Sequence, residues 1–181
     1  MSDTVRGHIK GYLRKKEPLL QPCILEVGSR MHEPDAWWVN NRDLAPNMDW
    51  WGIDMQEGSN VDSVEDIHGM SFDDNKFGSI LCSEVLEHVR KPWVAIPEMH
   101  RVLKPDGWII ITTLFSFPIH GFPDDYWRYT PNGMWHLLND AGFKNIEVQS
   151  GAEYSMTLCD HDGAETVTQT LPRHIFAVGQ K

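Results

Sequence analysis

The sequence predicts an α/β fold in which parallel strands alternate with helices, and three observations carry that expectation. Two short apolar runs, Cys23-Ile24-Leu25-Glu26-Val27-Gly28 and Trp50-Trp51-Gly52-Ile53-Asp54, hold an acidic residue near a glycine at their ends. A buried parallel strand looks like this when it delivers a carboxylate and a bare backbone turn to one sheet edge. Two further runs, 77–82 and 108–113, are apolar almost throughout, as strands covered on both faces are. The segment between the first two runs has a helical pattern, which makes a right-handed βαβ unit of them.

The bulk properties fit one domain over 1–181, with residues 1–20 as an N-terminal helix packed on it or capping it. The 181 residues are 41% hydrophobic and 23% charged, ordinary values for a globular protein. No apolar run approaches the roughly 20 residues of a membrane-spanning helix, and the polar opening Met1-Ser2-Asp3-Thr4 is unlike a signal peptide. A cytoplasmic location without membrane association is therefore expected. The net charge of −10 argues against a nucleic-acid partner, whose phosphates need a basic footprint. Cys23, Cys82 and Cys159 have no paired spacing and read as reduced thiols.

In chain order, apolar Val5, Ile9, Tyr12 and Leu13 recur at helical spacing over 3–16, with Arg14, Lys15 and Lys16 in the last turn. Pro22 starts the first strand, which runs to Val27. A short helix over 35–42, capped by Asp35, precedes Pro46-Asn47, a breaker before the strand 50–54. Residues 60–66 alternate apolar and polar as a short edge strand does. A buried strand over 77–82 is followed by a helix over 92–103 that opens on Pro92 and carries Trp93, Ile96, Met99, His100 and Leu103 on one side. Lys104-Pro105-Asp106-Gly107 is a turn into the strand 108–113. Residues 115–129 show neither period and form a long structured loop, of the kind that tends to be functional. A helix over 131–141 capped by Gly142, a strand near 146–149 and a last strand over 174–178 complete the chain. The polar, acidic stretch 153–170 carries little signal.

The two strand ends together suggest a nucleoside site. A carboxylate at a strand end accepts hydrogen bonds from a ribose diol, and glycine lets the backbone approach the rest of the ligand. A nicotinamide dehydrogenase would need Gly-x-Gly-x-x-Gly after the first strand, which is absent. Nine histidines raise the question of a metal, but no His-x-His, His-Glu-x-x-His or Cys-x-x-Cys spacing occurs, so none is expected.

Three stretches carry a family resemblance: Phe77-Gly78-Ser79-Ile80-Leu81-Cys82-Ser83-Glu84-Val85-Leu86-Glu87-His88-Val89, the helix end Arg101-Val102-Leu103-Lys104-Pro105-Asp106-Gly107, and the loop His120-Gly121-Phe122-Pro123-Asp124-Asp125-Tyr126-Trp127-Arg128-Tyr129. Over roughly 24–143 the chain resembles the class I S-adenosylmethionine-dependent methyltransferases, in particular the type-11 methyltransferase domains. The resemblance implies a Rossmann-like, mostly parallel seven-stranded sheet with strand seven antiparallel and helices on both faces. It also implies S-adenosyl-L-methionine as cofactor and a small-molecule substrate methylated at O, N or C. Residue by residue, it makes Glu26 the acid of the first strand and Gly28 the glycine where the backbone passes the methionine moiety, with Ser29 beside it. Asp54 matches the acid that grips the ribose hydroxyls, and Met55 packs on the adenine. Asp66 takes the place of the residue bonding the adenine amino group, Ile67 supplies a neighbouring amide, and Ser83 lines the methionine end. Where the family shows two more glycines after Gly28, this chain has Ser29-Arg30-Met31.

The loop 115–129 should then overhang the transferred methyl group. His120 is the first candidate for a base and His88 the second, each with a structural role as the alternative. Asp124, Asp125, Tyr126, Arg128 and Tyr129 form either an acceptor wall or an internal network in which Arg128 pairs with an aspartate. Trp37 and Trp38 either close over the pocket or pack. A catalytically silent domain that still binds the nucleoside is the alternative to an enzyme, and a homodimer is compatible with the short chain.

Overall fold

The computed structural model describes residues 3–31, 40–121, 124–159 and 166–181. Its strands are β1 (Ile24–Val27), β2 (Trp50–Asp54), β3 (Ser63–Val64), β4 (Phe77–Ser83), β5 (Leu103–Leu114), β6 (Lys144–Gly151), β7 (Tyr154–Cys159), β8 (Thr166–Leu171) and β9 (His174–Gln180). The helices are α1 (Asp3–Lys16), α2 (Pro92–Val102) and α3 (Pro131–Asp140). Seven strands form one sheet in the order β3-β2-β1-β4-β5-β9-β6, and β7 and β8 pair apart from it. Pairing is parallel from β3 through β5, and β9 runs antiparallel to both β5 and β6. The expected seven-stranded sheet with one reversed strand is therefore present.

Side chains alternate across a strand, so an apolar run with no polar alternation must be covered twice. Leu25, Val27, Ile80, Cys82, Ile109 and Ile111 pack with Ala95, Ile96 and Met99 of α2 and with Met134 and Leu138 of α3. Ile24, Leu81, Ile110, Phe176 and Val178 pack on the other face with Ile9, Tyr12 and Leu13 of α1. Burying each such side chain stabilises the fold by about 1.5–3 kcal/mol, before the entropy of ordering it.

Several local expectations hold and others need correction. Thr130 caps α3 by accepting from Gly133 N at 3.1 Å, and the helix ends at Gly142, whose φ of +97° belongs to a left-handed cap. Lys104–Gly107 do not end a helix ahead of a new strand. They bulge inside β5, because Leu103 pairs with Phe77 and Trp108 already pairs with Ser79. Trp93 is 54% exposed and packs edge-on against Trp127 rather than into the core. The edge strand expected over 60–66 is reduced to two residues. The β7–β8 hairpin occupies the stretch that gave little signal. The predicted helix over 35–42, with Trp37 and Trp38, falls mostly outside the described residues; Asn41–Leu44 form a 3-10 turn.

Candidate cofactor and acceptor site

Parallel pairing brings the carboxyl ends of β1, β2 and β4 to one sheet edge: Val27 stands opposite both Ile53 and Cys82. A cavity of about 830 Å³ opens there. That size and position suit a small-molecule site at the ends of parallel strands.

Glu26 is 3% exposed at the cavity wall and accepts from Asn41 Nδ2 at 2.9 Å and from Arg42 Nε at 3.3 Å. Burial pushes its carboxyl up against the pull of these two donors. Arg42 also reaches the Asn60 carbonyl at 2.8 Å and Asp62 Oδ2 at 3.0 Å, so it ties the ends of β1 and β2 together. Gly28 turns the chain with φ +70°, and a Cβ there would lie 2.3 Å from Val85 Cγ2. Both reasons require glycine at this position. Ser29, Arg30 and Met31 are not in left-handed conformations, so the loop does without further glycines. Instead Arg30 donates to Gln56 Oε1 at 2.7 Å and Met31 N donates to the Ser59 carbonyl at 3.1 Å, closing that end of the cavity. Ser29 is 4% exposed, lines the cavity, and its Oγ has no partner among the described residues. A buried hydroxyl in that condition calls for a ligand or water.

Asp54 ends β2 at the cavity, with Oδ1 accepting from Gln56 N at 3.0 Å. Met55 lines the same end and is 68% exposed, and Ile67 lines it while buried. Asp66 does not line the cavity. Its Oδ1 is committed to His68, 2.9 Å from the backbone N and 2.6 Å from ring Nδ1, and these bonds hold its carboxyl below the ordinary range. Glu65 lines the cavity in its place.

At the other end, Ser83 Oγ lies 2.8 Å from Thr112 Oγ1 and the next residue, Glu84, has a left-handed φ of 56°. Glu84 Oε1 is buried without a partner among the described residues, and its Oε2 lies 3.0 Å from Nε2 of fully buried His174. Glu87 is 1% exposed and accepts from Thr113 Oγ1 at 2.8 Å. Burial first, and the charge of Glu84 second, push its carboxyl up to about 8. His88 and His120 both line the cavity with ring centroids 5.0 Å apart. The Nδ1 of His88 is 2.6 Å from the Asp124 carbonyl, which can only accept, so Nδ1 carries the proton and Nε2 the lone pair. The Nδ1 of His120 is likewise 3.0 Å from Asp125 Oδ2. Glu84 and Glu87 stand inside the motif Ser83-Glu84-Val85-Leu86-Glu87-His88, yet sequence reasoning assigned them no role, because only the fold shows that both face the cavity.

Of the two arrangements expected for this loop, the described side chains form the internal network. Asp125, Tyr126, Arg128 and Tyr129 do not line the cavity. Arg128 is saturated: it donates to Asp125 Oδ2 at 2.7 Å and to the carbonyls of Phe117, Pro118 and Trp127. Tyr129 donates to the Leu86 carbonyl at 2.8 Å, and Tyr126 to Asp124 Oδ2 at 2.8 Å. The loop's cavity face consists of Phe117, His120 and Gly121 among the described residues.

Residues 39–111 match the family model described as a methyltransferase domain. No curated protein matches the chain in sequence. Among solved structures, a SAM-dependent methyltransferase from Archaeoglobus fulgidus aligns at TM-score 0.67 and 14% identity, covering 97% of this chain and 94% of that one. Phosphoethanolamine N-methyltransferase 2 of Haemonchus contortus, in complex with S-adenosyl-L-methionine, aligns at TM-score 0.64 and 14% identity, covering 97% of this chain and 52% of that one. The 1,6-didemethyltoxoflavin-N1-methyltransferase of Burkholderia thailandensis, with 1,6-didemethyltoxoflavin and S-adenosylhomocysteine bound, aligns at TM-score 0.61 and 12% identity, covering 97% of this chain and 80% of that one. The fold is the Rossmann-like fold of these class I enzymes.

Proposed function

We propose that this chain, whose fold and central segment match S-adenosylmethionine-dependent methyltransferases, transfers a methyl group from S-adenosyl-L-methionine to a small molecule at O, N or C. The carrying observation is the cavity at the carboxyl ends of β1, β2 and β4, with Asp54 at one end and two histidine lone pairs at the other.

The residues fit the cofactor. Asp54 presents a strand-end carboxylate to a ribose diol, Met55 and Ile67 flank the base, and Gly28 leaves room beside Val85 for the methionine chain. The unpartnered Ser29 Oγ and Glu84 Oε1 supply hydrogen-bonding capacity for the polar methionine end, and Ser83 lines it. Glu65 and Ile67 line the base end, while Asp66 between them is bonded to His68. The cofactor, when bound, supplies an activated methyl group. The protein's share is alignment, which is worth about 7–11 kcal/mol in well-oriented reactions. His120, with His88 beside it, is placed to take a proton from the acceptor at Nε2. Phe117 and Gly121 face the acceptor, while Asp125, Tyr126, Arg128 and Tyr129 act by holding the loop that carries them.

Cys23 and Cys82 are free thiols and no described helix is long and apolar enough to cross a membrane, which supports a reading as a cytoplasmic enzyme acting without membrane association. Methyl-labelled S-adenosylmethionine incubated with a library of small O, N and C nucleophiles is expected to label an acceptor, and Asp54→Ala to abolish labelling. Nucleoside binding with no labelled product across the library would favour the silent domain.

A further inference from the structure

We propose that Glu87, His88 and His120 form a binding site for one divalent transition-metal ion of the zinc or cobalt type at the acceptor end of the cavity. Each of the three residues offers one ligand atom, and these atoms lie within 4.8 Å of one another. Three further observations point to a cation.

The first is the tautomer of both rings. His88 is anchored through Nδ1 to the Asp124 carbonyl and His120 through Nδ1 to the Asp125 carboxylate, so each keeps its lone pair on Nε2. Metal-ligating histidines are held in the same way, with the other ring nitrogen donating to a carbonyl or carboxylate that fixes orientation and raises basicity. Here Asp125 is fixed in turn by Arg128. The second is Glu87, whose carboxyl group is 1% exposed and meets no cationic side chain by hydrogen bond or ion pair among the described residues. Its hydrogen-bond donors are Thr113 Oγ1 and its own backbone N–H, and neither carries a charge. The third is the uniform character of the surroundings. Both imidazole lone pairs face the same cavity end as acceptors, and a cavity end that turns two such lone pairs inward suits a bare cation.

Two nitrogens and one oxygen select the ion. Imidazole with a single carboxylate suits zinc, cobalt or iron, whereas magnesium and calcium need more oxygens. Three protein ligands leave a coordination position open to the cavity, the arrangement of catalytic rather than structural sites. An acceptor hydroxyl or amine bound there would lose its proton to solvent more readily, because the ion acts as a Lewis acid. In that case the histidines serve as ligands and not as bases. This consequence rests on the methyl-transfer reading; the binding does not.

The test uses the full, untagged chain stripped with a chelator and titrated with Co²⁺, read by visible absorption, and with Zn²⁺, read by calorimetry. One ion per chain is expected, with saturable cobalt bands and no comparable Mg²⁺ site. His120→Ala and Glu87→Gln should each weaken binding at least about tenfold. Circular dichroism and thermal unfolding, measured on each variant, show that the fold is intact. No saturable cobalt band, or His120→Ala binding cobalt as tightly as the unaltered chain, would overturn the site. Metal binding without nucleoside binding would sink the methyltransferase reading and leave the metal site standing, and the reverse outcome would do the opposite.

Discussion

Asp125 and His120 are joined twice: Asp125 Oδ2 accepts from the His120 backbone N at 2.9 Å and from its ring Nδ1 at 3.0 Å. The same carboxylate is chelated by Arg128, which holds its carboxyl well below the usual range. One side chain that does not touch the cavity thus sets both the position and the tautomer of one that does. Asp125→Ala should release the His120 ring and leave Arg128 without its carboxylate. We expect a stability loss of about 1–3 kcal/mol in denaturant unfolding. Turnover should fall by about tenfold to a hundredfold, while S-adenosylhomocysteine affinity changes by less than about threefold. A large loss of nucleoside affinity with unchanged turnover would contradict the positioning role.

Gly28→Ala places a Cβ 2.3 Å from Val85 Cγ2 on a backbone with φ +70°. The left-handed conformation alone costs about 1–2 kcal/mol, and the overlap adds to it. Thermal unfolding should show a lowered midpoint, and nucleoside affinity should fall with it, because Val85 lines the same cavity. Ser29→Ala, by contrast, removes an unpartnered hydroxyl and should leave stability unchanged or slightly raised while weakening nucleoside binding.

The Glu98 carboxylate accepts from Met70 N at 2.8 Å and from Arg101, and chiefly the Arg101 hydrogen bonds hold it below the ordinary range. A depressed acid stabilises the fold above its unfolded pKa, and that contribution is lost as pH falls through the folded value. Glu98→Gln should therefore cost about 1–3 kcal/mol at neutral pH, a difference that shrinks below about pH 4. Denaturation curves of both proteins across pH 3–8 measure it. Cofactor affinity should not change, because Glu98 does not line the cavity. A difference that stays constant down to pH 3 would contradict the assignment.

How much of this was legible in the sequence follows from how local each feature is. β1, β4 and the 108–114 part of β5 are apolar almost throughout because both sheet faces are covered there, and that requirement is written in consecutive residues. The turn at Gly28 and the cap at Gly142 were legible for the same reason, since a left-handed φ marks its residue. Thr166-Val167-Thr168-Gln169-Thr170-Leu171 in β8 pairs with β7 apart from the main sheet, and such a strand alternates too weakly to stand out from a polar loop. Site roles divide along the same line. Strand-end carboxylates such as Asp54 announce themselves. Whether Asp66 turns to the cavity or to His68, or Arg128 to a ligand or to Asp125, depends on which partner the fold brings within reach. No spacing rule could find Glu87, His88 and His120 as a cluster either, because His120 arrives from a loop beyond β5.

The central claim is that the edge formed by β1, β2 and β4 binds the nucleoside of S-adenosylmethionine through Asp54. Isothermal titration calorimetry with S-adenosylhomocysteine tests it most directly. The account predicts saturable binding at one site per chain and its abolition in Asp54→Ala with the fold retained. No heat at high ligand concentration, or an Asp54→Ala variant that binds as tightly as the unaltered chain, would contradict it.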